Sequence, residues 1–97
     1  MDLDTVLMPN GDFVFRDIGG ETILVPVRAG VTELDSLFTL NEVGAVVWKA
    51  VEARSSVQEI VTAVLAEFEI EPSSAESDVF EFLDVLIKRD LIRHTEA

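Results

Sequence analysis

Cysteine is absent from this chain and histidine occurs once, at His94. The first absence removes disulfides, thiolate metal sites, iron–sulfur clusters and cysteine nucleophiles together. The second leaves His94 without another imidazole or thiolate to share a metal, so it reads as a solvated tail residue and no metal or cofactor is expected. Positive charge is scarce as well: 7 Lys and Arg stand against 19 Asp and Glu, a net charge of −12. Nucleic-acid binding depends on neutralising phosphates with Lys and Arg, so this surface repels such a ligand and steers basic partners instead. No apolar run approaches the roughly 18 residues of a membrane span. The acidic start Met1-Asp2-Leu3-Asp4 argues against a secretory signal, and a soluble cytoplasmic protein is expected. Glycines number five, and none forms a phosphate-cradling loop; Gly19-Gly20 reads as a turn.

Carboxylates are plentiful, but they alternate in Glu67, Glu69 and Glu71 or punctuate a helix at Glu76, Asp78, Glu81 and Asp84. Acid–base chemistry requires a cleft that shifts carboxylate pKa values, whereas these positions fall on the polar side of amphipathic helices. No catalytic residue is expected.

The 97 residues fit one domain, spanning 1–97, with residues 1–10 read as a flexible arm. Phe13-Val14-Phe15-Arg16 reads as a strand, Gly19-Gly20 as a hairpin turn, and Glu21 to Val27 as a second strand with Ile23, Val25 and Val27 on one face. A third strand is expected at Ser36 to Leu40, with Phe38 and Leu40 sharing a face and Leu37 and Thr39 the other. Asn41 is a natural N-cap for a first helix carrying Val43, Val46, Val47, Ala50 and Val51 on one stripe. Arg54-Ser55-Ser56 breaks it. Ser56 and Glu59 form a capping box for a second helix with the stripe Val57, Ile60, Val61, Val64, Leu65 and Phe68. Ser73 and Glu76 predict another capping box for a third helix running to about Arg89. Leu91-Ile92-Arg93-His94 reads as a short strand or tail.

On the third helix, Val79, Leu83, Leu86 and Ile87 make a core-facing stripe. Phe82 borders it, Val85 lies beyond, and Asp78 and Arg89 share that flank. The apolar strip is wider than a core contact alone needs, which predicts a groove that accepts apolar side chains from a partner.

The ordered set Leu40-Asn41-Glu42, Trp48, Ser56-Val57-Gln58-Glu59-Ile60, Phe68, Asp78-Val79, Phe82-Leu83, Leu86 and Leu91-Ile92 resembles the PqqD-like family. These are the peptide chaperone of pyrroloquinoline quinone synthesis and the related recognition elements of ribosomally made, modified peptides. The resemblance covers roughly residues 12–93; Ala53-Arg54 stands where the family often has Asp-Gly. It implies an α+β, winged-helix-like fold, a three-stranded antiparallel sheet followed by a three-helix bundle. It also implies a non-catalytic adaptor that holds the leader segment of a precursor peptide as a strand against Ser36, Leu37, Phe38, Thr39 and Leu40. Asp78, Phe82, Val85 and Arg89 would form the groove wall, with Arg89 pairing an acid of the leader and Phe82 lining an apolar pocket. The partner would be a modifying enzyme, most often a radical SAM enzyme in this family, and the chain a monomer or a strand-exchanged dimer.

Two other readings share parts of this pattern. A winged-helix transcriptional regulator has the same fold class, but Lys88, Arg89 and Arg93 are the only bases near the third helix. Asp35-Ser36-Leu37 matches the attachment motif of acyl and peptidyl carrier proteins, in which the serine opens a helix; here a strand and two helix starts intervene.

Overall fold

The computed structural model describes residues 1–27 and 38–95. Strands β1 (Leu7–Pro9), β2 (Phe13–Ile18), β3 (Glu21–Pro26) and β4 (Phe38–Leu40) precede helices α1 (Glu42–Glu52), α2 (Val57–Glu67) and α3 (Pro72–Lys88), and β5 (Ile92–His94) ends the order. The antiparallel meander β2-β3-β4 is followed by the three helices, and β1 pairs separately with β5. The expected α+β architecture is therefore the one observed.

Gly19 and Gly20 both take positive φ, 58° and 85°, and this two-residue turn matches the twist of the β2–β3 hairpin. Phe13 and Phe15 point inward from β2, and Leu24 from β3 is fully buried beneath them. The outward row of the hairpin carries Val14, Ile23 and Val25, half-buried, and Ile18, which is 61% exposed. Phe38 and Leu40 face the core from β4 while Thr39 faces out, as their alternation predicts. Ser36 and Leu37, and the rest of 28–37, lie outside the described residues.

The helices bury one stripe each. Gly44, Val47, Trp48 and Val51 are the buried positions of α1, so its core face is turned toward Trp48, and Val43, Val46 and Ala50 form its half-buried margin. Asn41 caps α1 as expected, its Oδ1 accepting from the Gly44 N–H at 2.7 Å. On α2 the reciprocal capping box is complete: Ser56 Oγ accepts from the Glu59 N–H, and Glu59 Oε1 accepts from the Ser56 N–H at 2.8 Å. These bonds hold the Glu59 carboxyl below its ordinary value, chiefly through the Ser56 backbone N–H. The box thus supports α2 above the ordinary carboxylate range and weakens as acid protonates Glu59.

The third helix begins differently from the expected Ser73–Glu76 box. Glu71 is its N-cap, with no side-chain cap bond, and Pro72 occupies the first helical position. Proline's fixed φ suits that position and its missing N–H costs nothing there. Starting at Pro72 also brings Ala75, fully buried, into the core on the first turn.

The first ten residues, expected to be a loose arm, are tied down at three places. Leu7 is 1% exposed in the core, and β1 registers on β5 through Leu7↔His94, Met8↔Arg93 and Pro9↔Ile92. The carbonyls of Thr5 and Leu3 accept from the N–H groups of Val57 and Gln58, both 2.9 Å, filling the free donors at the start of α2. Asn10 Nδ2 donates to the carbonyl and the carboxylate of Asp90. His94, expected in a tail, is exposed but lies within β5.

Both α1 and α3 end in Schellman motifs without glycine. Arg54 (φ 60°) donates its N–H to Val51 and Ser55 donates to Ala50; Asp90 (φ 63°) and Leu91 make the same pair of bonds to Ile87 and Leu86. A left-handed arginine is strained, and the bond from its Nη1 to the Glu52 carbonyl at 3.0 Å offsets only part of that. Arg54→Gly is expected to raise stability by about 0.5–1 kcal/mol, or about 2–8 °C in a thermal melt. An unchanged or lower midpoint would show that the arginine's own hydrogen bond outweighs the strain.

Candidate functional site

β4 is an edge. Its inner side pairs with β3 through Thr22↔Leu40, Ile23↔Thr39 and Leu24↔Phe38, and no described strand pairs with its other side. An open edge exposes a row of backbone donors and acceptors that another extended chain is able to complete. Beside it runs a groove floored by Phe38, Thr39 and Leu40 and walled by Phe82 of α3, with Thr22, Asn41 and Glu42 at the Leu40 end.

Two aromatic contacts shape the groove. Phe38 and Phe82 meet edge to face, with ring centroids 6.4 Å apart and planes inclined at 66°. The Arg89 guanidinium lies 5.3 Å from the Phe38 centroid, a cation–π contact that places a positive charge at the Phe38 end. Of the groove residues expected from sequence, Phe38, Thr39, Leu40, Phe82 and Arg89 come together. Asp78 and Val85 share the helical row of Phe82 and Arg89 and are exposed, Val85 at 42%, but they do not line the groove.

Gly44 is the position that sequence reading missed. A Cβ there would lie 3.0 Å from Phe82 Cζ, 3.2 Å from Cε2 and 3.3 Å from Asn41 Oδ1, so the bare backbone is what lets the Phe82 ring rest on the start of α1. The available signal was an isolated glycine inside a valine-rich helix, which marks a close approach. Gly44→Ala is expected to leave stability within about 1 kcal/mol of the parent, because the helix gain offsets the crowding. It should also move the Phe82 ring by a few tenths of an ångström. Unaltered Phe38 and Phe82 ring resonances in the variant would show that the ring does not depend on this gap.

The electrostatics of α3 oppose phosphate binding. Its surface carries Glu76, Asp78, Glu81 and Asp84, and Lys88 Nζ is held by Asp84 at 2.8 Å, which raises the lysine's pKa. A winged-helix regulator needs the reverse, a basic recognition helix. The carrier-protein reading fails on geometry: Phe38–Leu40, immediately after Asp35-Ser36-Leu37, is a strand and not the continuation of a helix opened by Ser36. No helix among the described residues is long and apolar enough to cross a membrane.

Comparison with family models matches residues 5–92 to the model described as coenzyme PQQ synthesis protein D (PqqD). The chain belongs to the PqqD family. A solved structure of TbiB1 in complex with the TbiA(beta) leader peptide is similar to it, with a TM-score of 0.71 and 26% identity over 93% of this chain and 99% of that one. Comparison with curated proteins found no match. The PqqD-family match begins at Thr5, so it takes in β1, the segment that the sequence alone leaves as an arm.

Proposed function

We propose that this PqqD-family chain is a non-catalytic adaptor that binds the leader segment of a ribosomally made precursor peptide and presents it to a modifying enzyme. The observation that carries this reading is an edge strand, Phe38–Leu40, with no described strand on its other side, running beside a groove of mixed polarity walled by Phe82. The similarity to TbiB1, a protein solved with a leader peptide, supports it. In this mechanism the leader adds as a further strand at β4, where main-chain hydrogen bonds supply affinity with little sequence demand. Alternate side chains of the leader reach the Phe38–Phe82 wall, and Arg89 meets an acidic residue. The proposed contact also takes in Ser36 and Leu37, which precede Phe38 in the chain and lie outside the described residues, while Asp78 and Val85 receive the flank of the peptide. Ordering a disordered leader costs roughly 2–5 kcal/mol, so affinity near micromolar is expected, which suits transfer to an enzyme. A radical SAM enzyme is the proposed recipient, in the cytoplasm, with the chain acting as a monomer or a strand-exchanged dimer.

An amide NMR titration with synthetic leader segments of the short peptides encoded beside this gene tests the reading. Shifts concentrated at 36–40 and along 78–89 are expected. A well-folded sample that shows no shift with any of these peptides would remove the function and leave the fold. Charge reversal, Arg89→Glu, is expected to weaken binding about two- to five-fold, the size of one exposed ion pair.

A further inference from the structure

We infer that the groove is electrically polar and selects peptides in which a basic side chain precedes an acidic one by two to four residues. The inference rests on the peptide-binding reading above and specifies its ligand. At the Phe38 end stands Arg89, which makes no ion pair with any described residue and is held in place by the Phe38 ring. At the Leu40 end stand Glu21 and Glu42, both exposed and both lining the groove. Their place follows from the register: Thr22 lies opposite Leu40, which sets Glu21 one step beyond the end of β4, and Glu42 follows Leu40 by two residues. Neither glutamate is paired with a described base.

The spacing follows from strand geometry. At about 3.3 Å per residue, the path from Phe38 to the glutamates is about 10 Å, or about three residues of an added strand. A base and an acid two to four residues apart bring their long side chains within reach of the two ends, and at a spacing of four both share one face of that strand with a midway apolar residue facing the Phe38–Phe82 wall. The order follows from direction. β4 runs from the Arg89 end to the glutamate end, and it belongs to an antiparallel sheet. Antiparallel addition gives the better-aligned ladder, so the incoming chain starts at the glutamates and finishes at Arg89. Base first and acid second is the sequence that this direction demands. Main-chain pairing at β4 supplies most of the affinity, while the two charges set register and direction.

Selection from a displayed library of random decapeptides against the purified full chain tests the inference, followed by NMR titration of the enriched peptides. Enriched peptides should carry Lys or Arg two to four residues before Asp or Glu. Replacing either charge by Gln in such a peptide should cost about two- to five-fold in Kd at low salt, and less at high salt. The fully reversed protein, with Glu21→Lys, Glu42→Lys and Arg89→Glu, should enrich the opposite order. Peptides that shift Phe38–Leu40 but show no charge preference, or place the acid first, overturn the charge polarity and leave the peptide-binding function standing. A selection that yields no peptide shifting Phe38–Leu40 overturns both.

Discussion

Trp48→Ala is expected to lower the stability of this chain by about 3–5 kcal/mol, a large share of the roughly 5–15 kcal/mol that holds small domains together. Trp48 is fully buried and is the largest side chain in the core. Its ring meets Phe13 edge to face at 5.1 Å, so it joins the helical layer to the sheet, and removing it leaves a cavity bordered by both. Far-UV circular dichroism during urea unfolding measures the effect, since the substitution deletes the only tryptophan and with it the fluorescence signal. The indole N–H has no hydrogen-bond partner among the described residues. Trp48→Phe should therefore retain much more stability than Trp48→Ala, because an aromatic ring stays beside Phe13 and an unsatisfied donor is removed. An alanine variant that unfolds within 1 kcal/mol of the parent (about the cost of an ordinary surface change) would place Trp48 outside the core.

The second large effect is on binding. Phe82→Ala is expected to reduce leader-peptide affinity by about thirty-fold or more, the range of an interface hot spot. The ring is the helical wall of the groove, rests on Gly44 and abuts Phe38, so truncation opens the pocket and releases the Phe38 side chain together with the Arg89 charge stacked on it. The fold should survive. Phe82 is half-buried, and its loss should cost roughly 1–2 kcal/mol, less than the 3–5 kcal/mol of a fully buried phenylalanine. Titration calorimetry alongside a thermal melt separates the two consequences, and Phe82→Leu, which keeps apolar volume, should recover much of the affinity. Equal affinity for the alanine variant, on folded protein, would move the peptide site away from α3.

The two groove aromatics also explain why an apolar strip on α3 exceeded what its core contacts use. Val79, Leu83 and Leu86 are buried, whereas Phe82 is shared between the core margin and the open groove, and Val85 is left in solvent. The same wheel that placed Asp78 and Val85 on the flank could not say how far the groove reaches. That depends on where β4 docks, which no helical periodicity contains.

Features written within a few residues were legible in the chain alone. Asn41 capping Gly44 and Ser56 with Glu59 are contacts three residues apart, and the α2 stripe follows from 3.6-residue periodicity. The hairpin at Gly19-Gly20 follows from the backbone freedom of glycine. The start of α3 was misread: the spacing of Ser73 and Glu76 predicts a capping box, whereas the helix opens at Pro72 behind Glu71 with no side-chain cap bond. The course of residues 1–10 was not legible. Leu7 finds its partner at His94, and the carbonyls of Leu3 and Thr5 find theirs at the start of α2, separations over which no local pattern carries information. Sequence by itself thus determined the β2–β3 hairpin, the three helices and the caps of α1 and α2, because those depend on neighbours along the chain. Only the tertiary structure decided that Gly44 seats Phe82 and that Arg89 covers Phe38, because each depends on which distant surfaces exclude water from one another.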